Sequence, residues 1–305
     1  MVEVINVSKY YGKFLALNSI SFKVEQGEIV AFLGPNGSGK TTTMRIVTGF
    51  LQPSSGRVTV DGLDVFENDL EVKSITGYLP ENPPLYPELT VEEYLTFVAE
   101  LKRVPKNRIK SKVDEVIEKT ALTERRKTLI GALSKGLKQR VGIAQSIVND
   151  PKLLILDEPT VGLDPLQVIE IRNLVKKLAY EEKRTIILST HILGEASEIC
   201  KKAIIINNGN IVAVDTIENL NRSLKDVHKV AIEVKKDRAG LKNILRGHPS
   251  VLSVSDRDGK LEVESKEDIR EEIVKICVQN DFGLLEIYTL KNTLEEIFVK
   301  LVQEE

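Results

Sequence analysis

Residues Gly34-Pro35-Asn36-Gly37-Ser38-Gly39-Lys40-Thr41 spell G-x-x-x-x-G-K-[ST], a phosphate-binding loop, and this octet restricts the chain to folds in which a buried strand hands over to a helix. The flanks agree. Glu28 to Leu33 reads as a buried parallel strand, and Thr41 to Leu51 carries apolar residues at helical spacing, namely Met44, Val47 and Leu51. At such a junction the unpaired N–H groups and the positive end of the helix dipole face the β-phosphate of a nucleoside triphosphate. Lys40 is expected to reach the β- and γ-phosphates, and the Thr41 hydroxyl to ligate Mg²⁺. Glycines recur because the backbone itself must touch the ligand.

With 305 residues the chain exceeds a usual single core, which predicts one domain of about 220 residues and a smaller one. Lys and Arg total 43 against 45 Asp and Glu, and a net charge of −2 argues against a nucleic-acid surface. Cys200 and Cys277 lie far apart and have no C-x-x-C partner, so neither a zinc site nor a disulfide framework is indicated, and a reducing cytoplasm fits best. No run approaches 18 apolar residues, and Met1-Val2-Glu3-Val4 lacks the blocks of a signal peptide. Any membrane involved is therefore expected to be spanned by another chain.

The predicted fold class is α/β. Alternating apolar residues in the first thirty positions, joined by Gly56 to Gly62, indicate an antiparallel β subdomain. Buried parallel strands are expected at Ile29 to Leu33, Ile75 to Leu79, Leu153 to Leu156, Thr185 to Ser189 and Ala203 to Ile206. Between about residues 83 and 151 the strand signal gives way to a helical insertion, in which Thr90 and Glu93 form a capping box ahead of Val91, Tyr94, Leu95 and Val98. Asn207-Asn208-Gly209 turns a hairpin, and the first domain is expected to span 1–220. Residues 221–305 change rhythm to β-α-β-β-α-β, which suggests a small α+β, ferredoxin-like domain closed by a helix capped at Thr293 with Glu296. His228 and His248 are isolated there and suit packing or surface roles.

Lys152 to Glu158 puts two carboxylates at the carboxyl end of a buried strand, the edge where open α/β sheets bind ligands. Asp157 is expected to hold Mg²⁺ through its water shell, and Glu158 to polarise the water that attacks the γ-phosphate. Some twenty residues earlier, Leu133-Ser134-Lys135-Gly136-Leu137-Lys138-Gln139-Arg140 places Ser134 as N-cap of a helix burying Leu137, Val141, Ala144 and Val148.

That segment, with the phosphate loop, resembles the signature motif of ATP-binding cassette (ABC) ATPases. The resemblance implies a phosphate-loop ABC ATPase core whose two subunits pack head to tail, so that Ser134 and Gly136 of one meet the γ-phosphate bound by the other. It implies a nucleotide-binding set of Tyr11, Asn36, Gly37, Ser38, Gly39, Lys40, Thr41, Thr42, Ser134 and Gly136, with Thr41, Glu81 and Asp157 toward the metal. His191, at the carboxyl end of the Thr185 strand, matches the family's switch histidine and joins Glu158 and Lys40 as catalytic. Gly162-Leu163-Asp164 resembles the segment that crosses the dimer boundary, while Asp164-Pro165 equally reads as an ordinary helix start. Tyr11 matches the aromatic that stacks on adenine, although Tyr10 or Tyr11 also suits a hairpin or core position.

Three positions depart from the family pattern: Glu81 stands for the usual glutamine, Lys135 for a glycine, and Leu137 for a glutamine. With the Gly-Leu-Asp-Pro segment and the C-terminal extension, they resemble the branch of drug, sodium or gliding-motility export. That branch implies ATP and Mg²⁺ as ligands, a homodimer or heterodimer of ATPase subunits, and separate transmembrane subunits that seat near Pro83 to Pro87. The chain itself would then lie peripherally on the inner face of the membrane. A soluble ABC ATPase without a membrane partner, or a nucleotide-gated scaffold with little turnover, are the alternative readings.

Overall fold

A computed structural model describes residues 1–223, 228–257 and 259–290, and divides the chain into two compact units, Met1–Ile217 and Glu218–Glu305. The first unit starts with an antiparallel sheet ordered β2-β1-β4-β5, built from β1 (Val2–Tyr11), β2 (Phe14–Val24), β4 (Ser55–Val60) and β5 (Leu63–Asp64). Between them in sequence lie β3 (Ile29–Leu33) and α1 (Lys40–Val47). Helix α1 is shorter than its apolar spacing predicts. Gly49 takes a left-handed backbone, φ 69°, and the Phe50 and Leu51 amides fold back onto the Arg45 carbonyl.

A second sheet has six strands in the order β10-β9-β3-β8-β7-β6. Its members are β6 (Thr76–Leu79), entered from α2 (Asp69–Ile75), then β7 (Leu153–Asp157), β8 (Thr185–Thr190), β9 (Lys202–Asn207) and β10 (Asn210–Thr216). All neighbours are parallel except β10 on β9. β3, β7 and β8 are buried throughout, which is why each reads as an unbroken apolar run rather than an alternating one. One core fills the space between the two sheets and α1. There Val4, Leu17 and Val60 meet Val30, Phe32 and Met44, and the Phe22 ring packs at a tilt of 54° to Phe32 with centroids 5.4 Å apart.

The helical insertion comprises α3 (Val91–Leu101), α4 (Lys106–Lys119) and α5 (Lys135–Ile147). Thr90 and Glu93 form the expected reciprocal cap, and Val91, Tyr94, Leu95 and Val98 are buried. Ser134 caps α5, with its hydroxyl accepting the Leu137 amide. Leu137 itself is only half-buried, while Gly142, Ile143 and Ile147 are covered, so the helix is sunk more deeply than one apolar stripe suggests. α6 (Pro165–Tyr180) and α7 (Leu193–Ile199) flank β8 in sequence.

The smaller unit opens with α8 (Ile217–Ser223) and runs β11 (His228–Val234), α9 (Arg238–Arg246), β12 (Val251–Arg257), β13 (Lys260–Ser265), α10 (Arg270–Gln279) and β14 (Leu284–Leu290). The sheet is antiparallel in the order β12-β13-β11-β14. Val230, Ile232, Leu261 and Val263 pack with Leu241, Leu245 and Ile273 of the two helices. Just ahead of α10 the Asp268 carboxylate accepts the Arg270 amide and guanidinium. The helix predicted from Thr293 lies outside the described residues.

β6 seats on α5 through the Gln145 side chain, which donates to the Tyr78 carbonyl at 2.8 Å. A Cβ on the neighbouring Gly77 would fall 2.0 Å from the Ser146 carbonyl oxygen. Gly77→Ala is expected to lower the unfolding free energy by about 1–3 kcal/mol through overpacking. A urea melt checks it, and an unchanged midpoint would refute this account of the contact.

Candidate active site

The carboxyl ends of β3, β7 and β8 converge on one cleft of ≈ 500 Å³. Its lining includes Tyr11, Asn36, Gly37, Gly39, Lys40, Thr41, Thr42, Glu81, Glu158 and His191, residues gathered from across nearly two hundred positions. The phosphate loop is held in shape from behind. The Gly209 amide in the β9–β10 turn donates to the Ser38 carbonyl at 3.0 Å, and a Cβ on Gly34 would lie 2.4 Å from the Ile206 carbonyl. Gly39 has φ 109° and nestles against Leu17, a conformation and a contact that both exclude a side chain.

Lys40 is buried, and its ammonium donates to the Gly34 and Pro35 carbonyls at 2.9 and 3.2 Å. It also approaches a Glu158 carboxylate oxygen at 3.4 Å. The other Glu158 oxygen accepts from His191 Nδ1 at 2.9 Å. An ionised carboxylate only accepts, so Nδ1 carries the hydrogen, and a neutral ring keeps its lone pair on Nε2. Glu158 adopts φ 50°, left-handed backbone that costs a non-glycine residue about 1–2 kcal/mol. Its amide bonds to the Ser189 carbonyl at 3.0 Å, which fixes the turn that aims the side chain between Lys40 and His191.

Asp157 is wholly buried one residue earlier. Burial pushes its carboxyl upward, hydrogen bonds from Ser189 and Thr41 pull it down, and the charges of Glu158 and Glu81 push it up again, with a net rise. Ser189 donates to Oδ1, while Oδ2 is buried without a hydrogen-bond partner. Ser38 also lies below the surface, with its hydroxyl unpaired. Ser134 and Gly136 do not line the cleft. At the start of α5 Ser134 is exposed and Gly136 is buried, and a Cβ on Gly136 would collide with the Gln167 side chain.

Three participants escape sequence reasoning. Phe14, 65% exposed, faces Tyr11 across the β1–β2 hairpin and widens the aromatic wall of the cleft. Val161 also lines the cleft. Ser189 braces Asp157 because the parallel register pairs the two residues. The Tyr11–Gly12 turn could have pointed to Phe14, but nothing local marks Val161 or Ser189.

The sequence pattern described as ABC transporter matches residues 17–161. The bacitracin transport ATP-binding protein BcrA of Bacillus licheniformis is 33% identical over 99% of this chain and 97% of its own length. This chain belongs to the ABC transporter ATP-binding family. Another relative, the ABC transporter ATP-binding protein YdbJ of Bacillus subtilis, is 36% identical over 98% of this chain and 94% of its own. Among solved structures, the dimeric ATP-binding cassette MJ0796 in a post-hydrolysis state with ADP and Pi superposes with a TM-score of 0.65. It shares 26% identity and covers 71% of this chain and 99% of its own. The chain is thus an ATP-binding, ATP-hydrolysing subunit of an ABC transporter.

Asp157→Asn is expected to stabilise the nucleotide-free protein near pH 7, because it removes a buried charge. The folded pKa lies above the unfolded one, so the penalty is absent where both forms are protonated and grows as pH rises. Thermal melts from about pH 4 to 8 should show the gain widening with pH. A constant offset would overturn the assignment of the cost to ionisation.

Proposed function

We propose that this subunit drives an exporter, closing as a dimer, with itself or with a second ATPase subunit, head to tail around two ATP molecules. The reading rests above all on the Glu158 carboxylate, held between Lys40 and His191 at the edge of the phosphate loop. Glu158 acts as the base that polarises the attacking water, and His191 holds that water against the γ-phosphate. Lys40 leaves its carbonyl and carboxylate partners to bind the β- and γ-oxygens as a point charge. Asn36 to Thr42 supply the backbone cradle, and Tyr11 stacks on the base, with Phe14 beside it.

Mg²⁺ fits these residues. The unpaired Asp157 Oδ2 and the adjoining Thr41 hydroxyl are oxygen donors, Glu81 lies on the same cleft wall, and Mg²⁺ takes few protein ligands beside phosphate and water. Accordingly, no cage of three or more acidic, histidine or cysteine side chains exists among the described residues. Bound there, Mg²⁺ would neutralise phosphate charge as it shifts to the leaving group.

Ser134 and Gly136 act in trans. The helix start they form, at which Ser134 is exposed, caps in one subunit the γ-phosphate held by the other. No helix of the described residues is long and apolar enough to cross a membrane. On the likeness to transport ATP-binding proteins, separate transmembrane subunits carry the cargo and this subunit works at the cytoplasmic face. Pro83 to Pro87 offers them a stiff ledge, where half-exposed Tyr86 packs edge-on to Tyr94 and Phe97. Export is favoured by the likeness to a protein named for bacitracin transport. The unit from residue 218 is read as an accessory ferredoxin-like sandwich, on the support of its β-α-β-β-α-β order and interleaved sheet.

Glu158→Gln should retain ATP binding and lose turnover by about 10² to 10⁴. Lys40→Ala should weaken ATP binding at least about tenfold through the lost charge-assisted contact. Steady-state ATPase rates and a fluorescent-nucleotide titration check both. Parental hydrolysis in Glu158→Gln, or undiminished affinity in Lys40→Ala, would reject the corresponding role.

A further inference from the structure

Two rungs join the segment after β7 to the segment after β8. One is the Glu158–His191 pair. The other is formed by Thr160, whose hydroxyl donates to the Glu195 carboxylate at 2.6 Å. Both partners of this second rung are almost fully buried, at 5% and 6% exposure. The spacings explain how both rungs close. Thr160 follows Glu158 by two residues in an irregular turn, whereas Glu195 follows His191 by four and stands in the first turn of α7.

We infer that Thr160 and Glu195 are positioning residues for ATP hydrolysis, keeping Glu158 and His191 in register with each other. A carboxylate is expensive to bury, and its nearest return comes from a strong, short hydrogen bond with a hydroxyl. Glu158 cannot hold its left-handed backbone unaided, and its own carbonyl is bonded only loosely, by the Val161 amide at 3.3 Å. The Thr160 hydroxyl pins the next residue but one and so limits how far the Glu158 side chain can swing. From the other side, the Thr190 hydroxyl accepts the Ile192 amide at 3.0 Å and fixes the turn that carries His191 into α7. Glu195 then ties that turn to the loop.

Thr160 also lies between Glu158 and Gly162-Leu163-Asp164. A shift of that stretch therefore reaches the reacting residues through the Thr160–Glu195 rung. The inference rests on the reading of Glu158 and His191 given above.

The test compares Thr160→Val, which keeps shape and loses the donor, with Thr160→Ser, which keeps the donor, and with Glu158→Gln as reference. Thr160→Val is expected to lower kcat at least about tenfold with the ATP dissociation constant within about twofold, and Thr160→Ser to recover most of the rate. Thr160→Ala, free of any overpacking, should show the same split if Thr160→Val does not accumulate as folded protein. Parental kcat in Thr160→Val or Thr160→Ala, or a loss matched by equally weakened ATP binding, overturns the inference. A Thr160→Ser variant as slow as Thr160→Val does so too. Glu158→Gln separates the two levels: if it is slow while Thr160→Val is not, only the positioning role fails, and if it hydrolyses like the parent, the underlying reading fails.

Discussion

The site depends on one constrained backbone position. Glu158 leaves the end of β7 in a left-handed conformation, and the bond from its amide to the Ser189 carbonyl is what makes that turn persist. With it, one acid stays under the sheet edge as Asp157, and the next is redirected into the cleft beside Lys40 and His191. Strain of this kind is stored where surrounding structure over-determines a residue, and here the fully buried strands β7 and β8 supply that rigidity.

Charge is concentrated in the same place at a cost to the resting fold. Asp157, Glu158 and Lys40 are all nearly inaccessible, and the polar groups around them are incompletely matched: one Asp157 oxygen and the Ser38 hydroxyl have no partner. A fold selected for stability alone would remove these groups or pair them. Any ligand that pairs these groups would stabilise the folded state by linkage, so their mismatch leaves the resting cleft less stable than a filled one.

Much of this was legible in the residue order because its causes are local. The phosphate loop needs glycine where the backbone is left-handed or closely approached, α3 and α5 need side-chain caps, and strands covered on both faces need unbroken apolar runs; each leaves a mark within a few positions. Asp157, Glu158 and His191 were readable because they end such runs. Hidden were the effects of pairing between distant segments: Ser189 behind Asp157, Phe14 opposite Tyr11, Glu195 under Thr160. Helix ends were also imperfectly readable. The left-handed Gly49 stops α1 early, although Leu51 continues its apolar spacing.

The phosphate loop occupies residues 34–41, yet the amide that props its Ser38 carbonyl belongs to Gly209, and the side chain behind Gly39 belongs to Leu17. During synthesis the octet leaves the ribosome long before the hairpin that braces it. Because domains consolidate as their last elements emerge, a nascent chain gains its grip on nucleotide only near the end of translation of this unit.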